Sequence, residues 1–153
     1  MNKAKIVKLI EFTIPAIPPS YSASLKINFR LKQTYLSQDA RRFKDKVKVY
    51  MPSHKLQLKD SDRIIMHNKY YQAWYNKTNP DIKKQDVQNL DRLLIDAIFK
   101  GLGIDDRNLF CVINEKVHAP EVSKTVVALY LANGVEEYMN TTFSTNLPLQ
   151  EEE

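Results

Sequence analysis

The chain has 153 residues, 43% of them hydrophobic, which is enough apolar material for one domain that buries a core without disulfides or a structural metal. A single cysteine, Cys111, and the lack of a signal peptide or long apolar stretch argue against a disulfide-stapled or membrane protein and predict a cytoplasmic setting with Cys111 as a buried core thiol. The formal charge of +5 is the sum of +12 over residues 1–85 and −7 over residues 86–153. The basic residues of 1–85 can contact the phosphates of a nucleic acid, or they can form a solvated lysine-rich surface.

The N-terminal part predicts a strand followed by an irregular segment. Apolar and polar residues alternate over 6–14, which predicts a strand that stops at Pro15. Residues 20–36 are too irregular for a helix and can hold a short strand pair. Their aromatic and cationic side chains, Arg30 and Lys32 among them, can contact a DNA backbone or stack on bases, but they also suit a loop anchored by its aromatics.

A basic helix is predicted next. Ser37 is a natural N-cap for a helix that extends to about Tyr50, and Pro52 terminates it. The predicted apolar face consists of Ala40, Phe43, Val47 and Tyr50. Arg41 and Arg42 lie on the other faces, where they can bind a nucleic acid or simply face solvent.

Three further strands are predicted around one more helix. Residues that favour strands dominate 63–76, and after the helix two strands over 108–117 and 123–132 are expected to form a hairpin. This order predicts an α+β fold, a single small domain with a mixed β-sheet covered by helices. We expect that domain to span residues 1–133 and an acidic C-terminal tail to span 134–153.

The segment from Asp86 to Asp106 carries the strongest chemical signal. Its apolar residues have the spacing of a helix face packed on a core, and they are Leu90, Leu93, Leu94, Ala97 and Ile98. Asp86 precedes this helix as a candidate N-cap, and Gly101 and Gly103 follow it as stop signals. If the fold returns the turn at Asp105 and Asp106 to the helix start, the gathered carboxylates need a cation. The pattern therefore suggests a Mg²⁺ site.

These residues resemble the RusA-type Holliday junction resolvases of bacteria and their prophages. The family's signature, D-x-D-N-L-x-K-x-x-x-D-A-[LI] followed by a glycine-led turn with two aspartates, corresponds here to Asp86-Val87-Gln88-Asn89-Leu90-Asp91-Arg92, Asp96-Ala97-Ile98 and Gly103-Ile104-Asp105-Asp106. An early Pro18-Pro19-Ser20 is also similar to the family.

The resemblance implies a homodimeric endonuclease, dependent on Mg²⁺ or Mn²⁺, that nicks two opposed strands of a four-way DNA junction. Carried over by position, Asp86 and Asp106 are catalytic metal ligands, and Asp105 either joins them or only presents Asp106. Arg92 stands where the family has a lysine, and it could hold a phosphate oxygen. The residues expected to contact DNA are Lys83, Lys84, Arg41, Arg42, Arg30 and Lys32.

Gln88 departs from the family, because it occupies the position of the second aspartate. Its amide oxygen can still be a metal ligand, but it carries no charge and cannot act as a base, so we expect weaker metal binding. Asp91 could contribute through a water molecule, and Asp96 could instead form an ion pair with Arg92 four residues earlier.

Three hypotheses remain open from the sequence. The first is a working junction resolvase, and the second is a RusA-like protein that binds branched DNA but cuts it slowly or not at all because of Gln88. The third is a small structural or regulatory protein whose acidic cluster is merely surface.

Overall fold

A four-stranded mixed β-sheet forms the centre of the fold, and two helices contribute residues to the main hydrophobic core. The computed structural model describes residues 5–20, 24–53, 55–75 and 88–133. The elements in chain order are β1 (Lys5–Ile14), β2 (Leu25–Asn28), β3 (Gln33–Leu36), α1 (Gln38–Tyr50), β4 (Ile64–Gln72), α2 (Gln88–Leu102), a 3₁₀ turn (Asp106–Asn108), β5 (Leu109–His118) and β6 (Lys124–Asn133). The predicted α+β class with a mixed sheet is confirmed, and β2 and β3 form a separate two-stranded hairpin.

The strand order of the main sheet is β1-β6-β4-β5. β6 is antiparallel to both β1 and β4, whereas β4 and β5 are parallel. The predicted hairpin between the last two strands is therefore wrong, because β4 lies between β5 and β6. The helical crossover through α2 places β5 parallel to β4, and this leaves the other side of β4 for β6.

One face of the sheet packs with both helices into the main core. The buried strand residues of this core include Ile10, Phe12, Ile14, Ile64, Met66, Val127 and Leu129. From α1 come Ala40, Phe43 and Val47, as predicted, but Tyr50 is 49% exposed, so its assignment to the apolar face is wrong. Met51 closes that face instead, because it follows the helix as its C-cap and is buried.

The helix α2 follows its predicted periodicity closely. The residues Leu90, Leu93, Leu94, Ala97 and Ile98 are all buried. Gly101 lies inside the last turn rather than after it, and an added Cβ there would collide with the side chain of Met51. Gly103 has a φ of 68° and ends the helix in the left-handed conformation that glycine tolerates best.

The opposite face of the sheet carries a second, smaller apolar cluster. It consists of Ile65, Ala128, Tyr130 and Ala132, with Ile6, Cys111 and Ile113 packed against it. Cys111 is thus only partly buried, which corrects the prediction of a buried core thiol, and its burial still raises the pKa of the thiol. No helix within the described ranges is long and apolar enough to cross a membrane.

Candidate active site

The helix α2 places the two parts of the acidic motif at its opposite ends. Gln88 is its first residue, whereas Asp105 and Asp106 come after Gly103 has ended it. A helix of 15 residues is about 22 Å long, since each residue adds 1.5 Å. The turn therefore does not return to the helix start. Asp86 lies outside the described residues.

Three aspartates line one open cleft beside the C-terminal half of α2. Asp96, Asp105 and Asp106 share this cleft, whose volume is about 390 Å³, with the cations Lys44 and Lys100. In the part of the chain that the structure describes, no three carboxylate, imidazole or thiol groups are placed to hold a metal ion. The three aspartates that line the cleft are therefore not arranged as such a group.

The two adjacent aspartates of the turn have different surroundings. The Asp105 carboxylate accepts a hydrogen bond from the backbone N–H of Arg107 at 3.0 Å and lies 3.3 Å from Nε of the same residue. Arg107 also donates to Asp60 at 3.1 Å. The Asp106 side chain is exposed and makes no hydrogen bond or ion pair with another described residue. This difference favours the alternative in which Asp105 holds the turn and presents Asp106.

Asp96 is exposed and makes no ion pair with any residue that the structure describes. The predicted pairing with Arg92 is therefore not formed, although both side chains lie on exposed positions of α2. Asp96 contributes its carboxylate to the cleft instead.

The first turn of α2 is fixed by a polar network that includes β4 and β5. Asn114 Nδ2 donates to Asp91 Oδ2 at 2.8 Å. The Oδ1 atom of Asn114 accepts from Asn68 Nδ2 at 3.1 Å and from the Tyr70 hydroxyl at 3.2 Å. Burial, helped by the negative charge of Asp91, raises the pKa of Tyr70 far above its usual value. Through Asn114, the network thus connects the buried side chains of Asn68 and Tyr70 to the Asp91 carboxylate of α2.

Sequence reasoning missed this network, apart from the role considered for Asp91. Asn68 and Asn114 are register partners in neighbouring parallel strands. Asparagine is uncommon in strands, so its presence within two runs rich in strand-forming residues was the available signal. Asn68 is fully buried, and its Oδ1 atom has no hydrogen-bond partner among the residues that the structure describes.

Two of the three histidines have structural partners, in keeping with the absence of ligand spacing among them. Nε2 of His67 lies 2.6 Å from Glu115, across β4 and β5. His118 Nδ1 accepts a hydrogen bond from the backbone N–H of Trp74 at 3.1 Å. His54 lies outside the described residues.

Comparison with known protein families identifies the chain's relationship. The family described as endodeoxyribonuclease RusA matches residues 16–130, which include both parts of the acidic motif. The chain belongs to the RusA family. A comparison with curated proteins found no match. Membership confirms the relationship inferred from the motif and supports nuclease activity for this RusA-family chain.

Four of the six cations expected to bind DNA lie on the hairpin and on α1 of this RusA-family protein. Arg30 and Lys32 are exposed between β2 and β3, and Arg41 and Arg42 are exposed on α1. Arg41 Nε donates to the carbonyl oxygen of Leu36 at 3.2 Å, which ties α1 to the end of the hairpin. The other two residues expected to contact DNA, Lys83 and Lys84, lie outside the described residues.

Proposed function

We propose that this protein is a divalent-metal-dependent endonuclease that resolves four-way DNA junctions by paired nicks during recombination and repair. The observation that carries the proposal is the RusA family match over residues 16–130, a range that contains the motif aspartates Asp86 and Asp106. The exposed Asp106 carboxylate, which no described residue engages, supports its role as a metal ligand.

The working unit in this proposal is a homodimer whose two metal sites are each shared between protomers. Asp86 precedes α2 by two residues and Asp106 follows it, and the helix between them is about 22 Å long. Mg²⁺ is bound at about 2.1 Å, so one ion cannot bridge the two ends of this helix. Two copies related by a two-fold axis can pair the start of one α2 with the turn of the other. Two such sites suit a reaction that cuts two opposed strands.

The residues of the motif fit a phosphodiester-cleaving site. A bound Mg²⁺ or Mn²⁺ would lower the pKa of a water molecule that it holds, and it would neutralise charge on the scissile phosphate. Asp86 and Asp106 would hold the ion, and the Gln88 amide oxygen could complete its ligands. The Arg92 guanidinium would bind a phosphate oxygen and orient the scissile group.

Cleavage of a synthetic four-way junction tests the proposal. With Mg²⁺ or Mn²⁺ we expect symmetric paired nicks, and with EDTA we expect none. Asp86→Asn and Asp106→Asn should each lower cleavage by about 100-fold or more while junction binding persists, because each removes a ligand charge. Asp45→Asn is the matched control, since Asp45 is an exposed aspartate on α1. Undiminished cleavage by Asp106→Asn would contradict the assignment.

The replacement of a core aspartate by Gln88 favours a second candidate, a junction-binding protein with weak or no nuclease activity. In that case wild type binds the junction without cutting it, and Gln88→Asp gains metal-dependent cleavage. If wild type makes paired nicks, this candidate is excluded.

The domain organisation and setting are part of the same proposal. The nuclease domain spans residues 1–133, the acidic segment 134–153 is a tail, and the protein acts in the cytoplasm of a bacterium, encoded by the cell or by a prophage. The family match ends at residue 130, close to the proposed domain boundary.

A further inference from the structure

The hairpin of β2 and β3 presents large apolar side chains to solvent. Phe29 is 85% exposed, Leu31 is 61% exposed and Ile27 is 60% exposed. Single exposed apolar residues are common on proteins, but three within five positions of one hairpin form a patch. These side chains contribute little to the core, so their clustering points to a partner.

The tip of this hairpin is held in a defined shape. Asn28 Oδ1 accepts hydrogen bonds from the backbone N–H groups of Arg30 and Leu31, both at 3.1 Å. Lys32 has a φ of 50°, which closes the turn before the strand resumes at Gln33. A preformed tip loses little conformational entropy when it binds, so it can insert at low cost.

The base of the hairpin is anchored to the body of the protein. The backbone N–H of Ser37 donates to the carbonyl oxygen of Ser24 at 2.7 Å, and Leu36 packs against the main core. Ser37 is also the N-cap of α1, which carries the exposed Arg41 and Arg42. The hairpin and the basic helix α1 are thereby joined at Ser37.

The charge around the tip selects the kind of partner. Arg30 and Lys32 are exposed beside Phe29 and Leu31, and residues 12–38 contain no Asp or Glu. A partner must therefore be anionic and must also offer flat apolar surfaces, which is the chemistry of phosphates and bases. A second copy of the same tip does not fit, because like charges would face each other across a two-fold axis.

We propose that Phe29 and Leu31 form a wedge that inserts against base pairs at the crossover of branched DNA, while Arg30 and Lys32 bind the flanking phosphates. The inference rests on the proposed function, because the crossover is where arms meet and base pairs are most easily unstacked. Apolar wedges open base steps in other DNA-bending proteins, and base stacking on an aromatic ring tolerates any sequence. The wedge therefore gives preference for the branch point over a continuous duplex.

The test uses a four-way junction with 2-aminopurine at a crossover base pair, in EDTA so that no cleavage occurs. Wild type should raise the 2-aminopurine fluorescence, and the double variant Phe29→Ala/Leu31→Ala should abolish the rise. The variant should also lose about tenfold or more of the preference for junction over duplex, as expected when an aromatic stacking contact is removed. Phe29→Trp, with Leu31 unchanged, should keep both properties, since tryptophan also stacks.

Two controls keep the outcomes distinct. Val49→Ala removes another exposed apolar side chain, 75% exposed on α1, and should change neither readout. Arg30→Ala/Lys32→Ala should weaken junction and duplex binding alike, because phosphate contacts carry no preference for the branch. The melting temperature of the wedge variant should match wild type.

Several results would overturn the wedge. A double variant that keeps both the fluorescence rise and the junction preference contradicts it directly, whereas a wild type without any junction preference overturns the proposed function itself. If the variant instead loses binding to vesicles of anionic phospholipid and keeps junction binding, the tip is a membrane contact. A concentration-dependent loss of dimer in the variant would assign the patch to self-association.

Discussion

Asn114 links the sheet to the first turn of α2 through three hydrogen bonds. It donates to Asp91 and accepts from Asn68 and Tyr70. Buried polar networks of this kind stabilise a structure when every member is satisfied and are costly when one is removed. Asn114 thus joins Asp91, one helical turn into the motif, to the buried side chains of the sheet.

Asn114→Leu is expected to destabilise the protein by about 2–3 kcal/mol, because it removes the acceptor of the buried Asn68 amide and Tyr70 hydroxyl. Asn68→Leu is the matched control and should cost less, about 1 kcal/mol, because it also removes a buried oxygen that has no partner. Urea unfolding of both variants measures the difference. Equal losses would show that Asn114 is not the centre of the network.

The raised pKa of Tyr70 predicts that the stability of the protein falls at high pH. Its folded pKa is raised by burial and by Asp91, so its hydroxyl stays protonated in the folded state while the unfolded state loses the proton above about pH 10. Its contribution to stability is complete below that pH and is lost as the pH rises further. The urea midpoint of wild type should therefore fall more steeply between about pH 9.5 and pH 11 than that of Tyr70→Phe. Parallel profiles would contradict this assignment.

At the scale of elements, the 3₁₀ turn after α2 orients the acidic pair. Asp105 caps this turn through the backbone N–H of Arg107, and the Asp106 carboxylate lines the cleft beside Asp105 and Asp96. The short turn lies directly before β5, so its orientation is set by the parallel pairing of β5 with β4.

Substitutions at Asp105 test whether this residue only caps the turn or also binds the metal. Asp105→Asn keeps an oxygen for the Arg107 N–H and should retain most cleavage, whereas Asp105→Ala should lose about 0.5–2 kcal/mol of stability and part of the activity. Thermal unfolding and junction cleavage provide the two readouts. If Asp105→Asn is as inactive as Asp106→Asn, Asp105 is itself a ligand.

The elements also show what sequence patterns could predict. Helical spacing and an N-cap predicted α1 and the buried face of α2, because these signals are local. The neighbours of β5 and β6 could not be predicted from the turn between them, since strand order depends on the crossover through α2. The distance between Asp106 and the start of α2, by contrast, follows from the helix length alone, so the predicted helix already conflicted with a turn that returns to its start.

At the scale of the whole molecule, the proposed function divides the metal ligands of each chain between two separated places. The start of α2 follows Asp86, and its far end leads to Asp106, about 22 Å along the helix. The proposed shared site would make the nuclease active only as a dimer and would give it two cutting centres related by symmetry. The exposed cations of α1 and the hairpin would then lie on both protomers and bind opposite arms of the junction.

Mixing two inactive variants tests the shared site most directly. Asp86→Asn and Asp106→Asn protomers are mixed so that they exchange and form heterodimers. Nicking of a four-way junction is then measured with Mg²⁺. If wild type itself does not cut, both variants are made in a Gln88→Asp background. With shared sites, one of the two centres in each heterodimer receives Asp86 and Asp106 intact, so single-strand nicking returns although neither homodimer cuts. If each site belongs to one chain, both centres of the heterodimer carry a lesion, and continued inactivity of the mixture would contradict the account.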